Sequence, residues 1–364
     1  MSGPSFSNRW SCFRGGLLDE LVANLLLHRA LRYQQRPPVT GPTAAEDPGL
    51  YSGQLELFYR PIPPVVDLFR EPVPLERQPR PPGSRPVRPT SPRPTQSGKM
   101  ASASSLDYRL PSLFQTRWPA ANQIWLRRWS PLPEQDRGIT LICLQGLVQR
   151  GMGWFRPLAE QIVPQGVEVV AVDLPFNFRR TPAGYFPGQL IVGGDLGHQL
   201  AVTRQAVIDT WQVVRSLQHG GRRVGLIGVS YGGWISLLTS LLADDLACVV
   251  AVTPPVNTFR LLQEGGTLIR AVRRGLGKAP LNLSQLTEVS RPLTPREWTS
   301  RLPGDRIHLH LARCDRFVKS GHIRDLAAAW GTVLREHFNG HYNVTMRPLL
   351  VPGIVRDLQT LLFG

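Results

Sequence analysis

One stretch, RRVGLIGVSYGGW from Arg222 to Trp234, constrains the fold of this chain more than any other. Its apolar and β-branched residues start after a charged pair and end at a glycine cluster, which predicts a short buried strand ending at Val229. A helix is predicted directly after it, because large apolar residues recur at three- and four-residue spacing: Trp234, Leu237, Leu238, Leu241 and Leu242. Ser230 is therefore expected on the turn between strand and helix.

The glycines at positions 228 and 232 complete a Gly-x-Ser-x-Gly pattern around Ser230. A tight strand-to-helix turn projects the serine hydroxyl above the end of the sheet, and side chains at Gly228 and Gly232 would collide with neighbouring backbone. A dinucleotide-binding loop would need Gly-x-Gly-x-x-Gly and an acid at the end of the next strand, and neither is present. The pattern favours a nucleophile elbow over a plain strand-to-helix turn.

A serine is a poor nucleophile at neutral pH, so Ser230 needs a base and an orienting acid from elsewhere in the chain. Asp315 follows a predicted strand at 307–312, and His341 follows another at 333–338. Because ligands gather at the carboxyl ends of parallel strands, these three side chains are expected to converge there.

Other residues could take these roles. The alternative acids are Asp173 and Asp305, in which case Asp315 would cap its loop. The alternative bases are His322, on the helix after the strand at 307–312, and His337, which would point along its strand. In that case His341 would cap a turn.

The rest of the chain from residue 105 alternates strands and helices. The predicted strands are 124–126, 139–144, 167–173, the apolar run that ends at Val229, 248–252, 307–312 and 333–338. This alternation predicts an α/β fold with a mostly parallel sheet covered by helices on both faces. Residues 254–302 read as helical patches broken by proline and glycine, which predicts a small helical lid over the site.

The first 104 residues have a different character. Residues 1–60 are expected to form an arm with one amphipathic helix from Leu17 to Leu31, whose partner the sequence does not reveal. Residues 61–104 are rich in proline and arginine with few large apolar side chains, which predicts a disordered linker. Met100 would be an ordinary translation start, so the first 99 residues are hypothesised to be either dispensable or not made.

The formal charge of +16 would suggest a nucleic-acid partner, but only three of the 42 basic residues are lysines and the arginines are scattered. Without a recognition module, no nucleic acid is expected.

The four cysteines (Cys12, Cys143, Cys248 and Cys314) lack metal or disulfide-framework spacing, so neither a metal nor a cofactor is expected. They indicate a reducing, cytoplasmic compartment, with Cys314 a packed small residue. No apolar run reaches the ~18 residues of a membrane span, and the N-terminal residues do not show the succession of basic, apolar and small residues that predicts a secretory signal.

The elbow, the two late loops and the order Ser, Asp, His resemble the α/β-hydrolase fold family over roughly residues 105 to 364. The resemblance implies that Ser230 attacks an acyl carbon, that His341 takes and returns its proton, and that Asp315 orients the imidazole. It also implies that the backbone amides of Leu147 and Tyr231 bind the oxyanion.

The strand before the first oxyanion loop commonly ends in His-Gly in that family, whereas here it ends in Gln145-Gly146. The turn glycine is retained, so the amide geometry is expected to survive. Arg179 and Arg180, in the loop after the strand at 167–173, could bind an anionic group of the substrate or lie in a solvated loop.

These observations predict a serine hydrolase that cleaves an ester or thioester of a small acyl substrate. Two alternatives stay open. An acyltransferase would share the covalent intermediate and cannot be separated from a hydrolase by sequence. A catalytically silent binding or scaffold protein would keep the fold and use the N-terminal arm to recruit protein partners.

Overall fold

The computed structural model describes residues 6–33, 47–60, 72–73, 105–147, 149, 151–192, 195–243, 245–257, 260–261, 264, 283–346 and 353–364. Within these ranges, nine strands form one sheet: β1 (Pro72–Val73), β2 (Ser105–Pro111), β3 (Gln123–Trp129), β4 (Ile139–Leu144), β5 (Val167–Val172), β6 (Arg223–Val229), β7 (Cys248–Val252), β8 (Ile307–Ala312) and β9 (Val333–His337).

The strand order is β1-β2-β3-β5-β4-β6-β7-β8-β9. Strands β1 to β3 pair antiparallel and β3 is antiparallel to β5, whereas β5, β4, β6, β7, β8 and β9 are parallel throughout. The inner parallel strands are buried on both faces because helices cover both sides; every residue of β4, β5, β7 and β8 is buried. The mostly parallel α/β sheet predicted from the sequence is confirmed.

The helices in the described ranges are α1 (Phe6–Tyr33), α2 (Leu55–Phe58), α3 (Arg156–Ile162), α4 (Gln189–Val192), α5 (Leu196–His219), α6 (Tyr231–Ser240), α7 (Leu283–Ser290), α8 (Ser320–Trp330), α9 (His341–Met346) and α10 (Ile354–Phe363). Two apolar cores lie between these helices and the sheet, one on each face of the sheet. Buried side chains of α5, α6 and α8 pack on one face of the sheet, and those of α3 and α10 pack on the other. The sheet is therefore covered on both faces.

The N-terminal helix α1 is longer than predicted and packs with an unexpected face. Over residues 7–24, where burial is described, its buried residues are Gly15, Gly16, Asp19 and Ala23, whereas Leu17 and Leu21 are 63% and 66% exposed. An inward leucine face, which the amphipathic reading implies, is therefore wrong for Leu17 and Leu21. The glycine pair explains the difference, because the absence of side chains lets the helix backbone approach another loop closely.

Two predicted segments lie wholly or partly outside the described residues, the linker almost entirely and the lid in part. Of the linker 61–104, only β1 is described, and it pairs with β2 at the edge of the sheet. Of the predicted lid 254–302, residues 265–282 lie outside. Part of the lid that is described packs beside α6: the indole Nε1 of Trp234 donates to the carbonyl of Leu293 at 2.7 Å.

The expectation of separate cysteines is wrong for two of them. Cys12 on α1 forms a disulfide with Cys314 after β8, with 5.3 Å between their Cα atoms and a sequence separation of 302 residues. Cys143 and Cys248 are free and buried. The pairing was not predicted because the fold brings together positions that no local spacing connects.

Candidate active site

Ser230 lies between the end of β6 and the first residue of α6, as the sequence predicts. Its backbone has a φ of 51° and a ψ of −115°, a conformation that costs free energy for a residue with a side chain and persists only where surrounding structure imposes it. The amide of Ser230 donates to the carbonyl of Val252 at 2.7 Å, and the carbonyl of Ser230 accepts from the amide of Trp234 at 3.0 Å. These bonds hold the turn between the sheet and α6.

The two glycines of the motif leave no room for a side chain. A Cβ on Gly228 would lie 2.2 Å from the carbonyl oxygen of Gly232, and a Cβ on Gly232 would lie 2.3 Å from that of Leu144. Both distances are far shorter than a van der Waals contact. The first turn of α6 therefore sits directly against β6 and the end of β4, which holds Ser230 at the edge of the sheet.

Three side chains from distant loops form one hydrogen-bonded chain. The Nε2 atom of His341 lies 2.9 Å from Oγ of Ser230, and its Nδ1 atom lies 2.6 Å from Oδ2 of Asp315. Ser230 follows β6, Asp315 follows β8 and His341 follows β9, so all three lie at the carboxyl edge of the parallel strands. The side chains of His341 and Asp315 are 9% and 1% exposed.

The carboxylate of Asp315 is oriented by its own loop. Its Oδ1 atom accepts from the backbone amides of Phe317 at 2.8 Å and Val318 at 2.7 Å. This arrangement leaves Oδ2 for the imidazole of His341. The ring of Phe317 also lies beside that imidazole, with 5.1 Å between the ring centroids.

The surroundings of His341 favour its protonated form. Burial alone would lower the pKa of His341, but the charge and hydrogen bond of Asp315, with a further contribution from the charge of Asp19, outweigh burial and raise that pKa above its ordinary value. An imidazole with a raised pKa is a stronger base toward the hydroxyl of Ser230. The site is therefore built to move a proton between a hydroxyl and an imidazole.

The alternative acids are placed elsewhere. Asp173, directly after β5, is buried and paired with Arg179 at 3.3 Å; burial raises the pKa of Asp173 to about 6. Asp305 precedes β8, at the opposite end of that strand from Asp315.

The alternative bases are also engaged away from Ser230. His337 stacks on His310, with 3.0 Å between their ring nitrogens, and burial together with the neighbouring His310 lowers the pKa of His337 to about 4. His322 on α8 faces the carboxylate of Glu264 at 3.1 Å. Of the histidines that the sequence left open as bases, only His341 contacts Ser230.

The turn after β4 lies beside the serine. A Cβ on Gly146 would lie 3.3 Å from the carbonyl oxygen of Val229 and 3.5 Å from Cβ of Ser230. The amide of Gly146 donates to Oε1 of Gln149 at 3.2 Å, which holds this turn. Leu147 follows it, and Tyr231 is the first residue of α6, where initial N–H groups have no partner within the helix. Both predicted oxyanion donors thus lie on segments adjacent to Ser230.

Gln145, where the family commonly has histidine, has a structural role. Its side chain is 1% exposed. In the orientation that satisfies its neighbours, the amide nitrogen donates to the carbonyl of Val172 at 2.6 Å and the oxygen accepts from the amide of Leu174 at 2.9 Å. Gln145 therefore ties the end of β4 to the end of β5.

Arg179 and Arg180 are both paired with carboxylates of the protein. The guanidinium of Arg180 is fully buried and lies 2.6 Å from Oδ2 of Asp209. Arg179 bridges Asp107 at 2.9 Å and Asp173 at 3.3 Å. Asp209 therefore pairs with the charge of Arg180, and two carboxylates engage that of Arg179. A role of these arginines in binding an anionic substrate group stays a prediction.

The structure adds one residue that sequence reasoning did not select. Asp19 on α1 is fully buried and accepts hydrogen bonds from backbone amides next to Asp315 and at His341. Gly15 and Gly16, which lie directly before the predicted helix and inside the observed α1, were the available signal, since glycines within a helix often mark close packing.

A cavity of about 890 Å³ lies on the outer side of this region, between α1 and the loop after β8. It is lined by Arg9, Arg313 and Asp315, among others, but by neither Ser230 nor His341. It is therefore not the space in front of the nucleophile.

Within the described part of the chain, no group of three or more histidine, cysteine, aspartate or glutamate side chains could hold a metal ion. The helices that the structure describes also include none that is long and apolar enough to cross a membrane.

Several solved structures are similar to this one. An acetyl xylan esterase from Paenibacillus sp. R4 is similar with a TM-score of 0.57 and 16% identity, over 88% of this chain and 96% of that chain. An acetyl xylan esterase from Thermoanaerobacterium sp. JW/SL YS485 has a TM-score of 0.48 and 16% identity, over 70% and 86%. An esterase of Pyrococcus furiosus has a TM-score of 0.48 and 18% identity, over 74% and 97%. At such identities the similarity concerns the fold alone.

No curated protein has a significant match to this sequence. The sequence profile described as "Alpha/beta hydrolase family" matches residues 141–358, a range that begins in β4, ends in α10 and includes Ser230, Asp315 and His341. That match covers more than half of the chain, and the strand order and the position of the nucleophile turn are those expected of such a domain. This protein is therefore a member of the alpha/beta hydrolase family.

Proposed function

We propose that this chain is a serine hydrolase that cleaves a carboxylic ester or thioester of a small-molecule substrate through an acyl-enzyme on Ser230. The observation that carries the proposal is the hydrogen-bonded series from Oγ of Ser230 through His341 to Asp315, with distances of 2.9 Å and 2.6 Å. This arrangement supplies a nucleophile, a base and an orienting acid.

In the first half of the reaction, Oγ of Ser230 attacks the acyl carbon while Nε2 of His341 takes the hydroxyl proton. The tetrahedral intermediate collapses, the bond to the alcohol or thiol breaks, and the imidazolium returns the proton to that leaving group. Water then attacks the acyl carbon, His341 takes one of its protons, and the released Oγ of Ser230 receives it. Asp315 holds the tautomer with Nδ1 protonated and balances the positive charge on the ring.

The negative oxygen of each tetrahedral intermediate would be held by the amides of Leu147 and Tyr231. Both residues lie on segments that adjoin Ser230: Leu147 on the turn that follows Gly146, and Tyr231 at the start of α6. The partial positive charge of a helix N-terminus at Tyr231 would add to the stabilisation.

The preference for an ester is a fold-level analogy with an acetyl xylan esterase that is 16% identical. Acyl transfer to an alcohol uses the same acyl-enzyme and differs only in the acceptor. If Ser230 proved unreactive, the chain would instead be a hydrolase-like scaffold without activity.

The predicted cytoplasmic location stays a prediction, and the disulfide between Cys12 and Cys314 argues for an oxidising compartment instead. Recruitment of protein partners by the N-terminal residues also stays a prediction.

A fluorophosphonate probe tests the proposal. The wild-type chain should be labelled on Ser230, Ser230→Ala should not be labelled, and Ser240→Ala, altered at the far end of α6, should be labelled like the wild type. A series of p-nitrophenyl esters of graded acyl length should then define the acyl group, and product analysis with added alcohols separates hydrolysis from transfer. Absence of labelling in folded wild-type protein would leave the scaffold as the better explanation.

A further inference from the structure

The carboxylate of Asp19 connects the N-terminal helix to both loops that carry the acid and the base. Its Oδ2 atom accepts from the backbone amides of Arg316 at 3.1 Å and His341 at 2.8 Å, and its Oδ1 atom accepts from the amide of Tyr342 at 2.8 Å. Arg316 is the neighbour of Asp315 in the chain. One side chain of α1 therefore binds the backbone beside Asp315 and at His341.

The position of Asp19 is set by close packing of α1. A Cβ on Gly15 would lie 2.2 Å from the amide nitrogen of Gly340, and a Cβ on Gly340 would lie 2.4 Å from the carbonyl oxygen of Gly15. Two backbones thus meet without intervening side chains, immediately before His341. The approach brings the short aspartate side chain within reach of the loop amides.

A covalent bond holds the same face of the helix. Cys12, Gly15, Gly16 and Asp19 are spaced by three, four and seven residues from the first, which places them on one face of α1. Cys12 is joined to Cys314, directly before Asp315. The disulfide, the glycine contact and the buried carboxylate therefore act on the same two loops from the same helix face.

Burying a carboxylate is costly unless hydrogen bonds compensate it. Burial raises the pKa of Asp19 and the three backbone amides lower it, with burial dominant, so the net pKa is above the ordinary value. Asp315 is the charged neighbour that also disfavours ionisation of Asp19. An apolar residue would avoid this cost but could not accept hydrogen bonds from the loop amides.

We propose that Asp19 is a positioning residue of the active site, which fixes the loops of Asp315 and His341 through their backbone amides and so aligns the imidazole with Ser230. The effect on turnover rests on the proposed function, whereas the effect on the loops does not. Displacing a reacting group by about 1 Å can cost about 10²-fold in rate, so loss of these bonds should be visible in catalysis. The inference also argues against the hypothesis that residues 1–99 are dispensable.

The test compares Asp19→Asn with Glu20→Gln in the full chain. The asparagine has nearly the same shape but only one acceptor oxygen, and its NH₂ group would face backbone donors. Glu20 is the next residue of α1 and is exposed, so its variant controls for a change of charge on the helix. Hydrogen exchange measured on peptides covering 313–318 and 339–345 reports the loops whether or not the protein is catalytically active.

Asp19→Asn should speed exchange of the amides of Arg316, His341 and Tyr342, whereas Glu20→Gln should not. If Ser230 is labelled by fluorophosphonate, active sites can be counted, and kcat per titrated site should fall by about 10²-fold for Asp19→Asn with KM changed little. The pKa of His341 read from the pH dependence of kcat/KM should also decrease, because the Asp19 charge contributes to raising it. A lower folded fraction alone would change neither kcat per site nor that pKa.

Unchanged exchange in Asp19→Asn would overturn the proposal, and so would unchanged kcat per titrated site in an active wild type. If wild-type protein is inactive but Asp19→Asn still speeds exchange, the positioning of the loops stands and the proposed hydrolase function fails instead. Should Asp19→Asn not fold, Asp19→Glu takes its place: it keeps the carboxylate but displaces it by one methylene. It should then show faster exchange at both loops than the wild type, and equal exchange would overturn the proposal.

Discussion

Cys314 is the residue directly before Asp315, and its sulfur is bonded to Cys12 on the N-terminal helix. The disulfide thus ties α1 to the loop of the proposed catalytic acid across 302 residues of chain. Cross-links that close long loops restrict the unfolded chain and typically stabilise a protein by about 2–4 kcal/mol.

Removing this cross-link should therefore destabilise the protein. Urea unfolding of the wild type should show a free energy of unfolding lower by about 2–4 kcal/mol with a reductant than without it. The double variant Cys12→Ser/Cys314→Ser should have the lower stability in both conditions. Equal stability of the wild type with and without reductant would contradict a stabilising disulfide.

The pH dependence of activity should report His341. The imidazole must be neutral to accept the proton of Ser230, so kcat/KM should rise with pH through the pKa of His341. Because that pKa is raised, the midpoint should lie above the ordinary histidine value of about 6.5. Asp315→Asn should move the midpoint to lower pH and reduce kcat by about 10⁴-fold, the loss that the corresponding change causes in another serine hydrolase. A wild-type midpoint below 6.5 would exclude this role for Asp315.

A single methyl group at Gly228 should disrupt the turn at Ser230. The added Cβ would lie 2.2 Å from the carbonyl oxygen of Gly232, so α6 must move away from β6. Such overpacking costs about 1–3 kcal/mol or more, and displacement of Ser230 should abolish fluorophosphonate labelling. Gly321→Ala in α8 is the matched control, because its Cβ meets nothing within 4 Å and alanine favours a helix by about 0.5–1 kcal/mol. Thermal unfolding and labelling of both variants provide the measurement.

The buried pair of Arg180 and Asp209 should affect stability. Asp209→Asn leaves the Arg180 guanidinium buried without its countercharge, and breaking such a pair costs about 3–5 kcal/mol. The exposed pair of Arg156 and Glu160 offers a control, since Glu160→Gln should cost less than about 1 kcal/mol. Chemical unfolding measures both. An intact stability in Asp209→Asn with a raised KM would contradict a purely structural role of this pair and support a part for Arg180 in substrate binding.

Acid should weaken the contact between α10 and the sheet. Asp357 on α10 faces His308, His310 and Arg335; burial opposes ionisation, but these partners outweigh it and lower the pKa of Asp357. A carboxylate with a lowered pKa contributes stability above its unfolded pKa of about 3.9, which is lost as pH falls through the folded value. Stability of the wild type should therefore fall more steeply below pH 4 than that of Asp357→Asn. Parallel acid profiles would contradict this.

Local patterns were sufficient for the central features of the fold. The apolar run before Ser230 and the glycines around it predicted the strand, turn and helix, because each depends on residues adjacent in the chain. Asp315 and His341 could be placed since each lies in the loop that follows a predicted strand, and parallel strands end at one edge. The strand boundaries and the sheet type therefore placed both residues at one edge, whereas the contacts that distinguish them from Asp173, Asp305, His322 and His337 came only from the tertiary structure.

Contacts between distant segments were decided by the tertiary structure. Periodicity along α1 identified a leucine face but not the face that packs, which contains Gly15 and Asp19 and meets the loop before His341. Likewise, nothing near Arg180 in the chain indicates Asp209, and nothing near Cys12 indicates Cys314. The pattern of side chains along a segment shows which of its faces can be buried. Which other segment covers that face depends on how the whole chain packs.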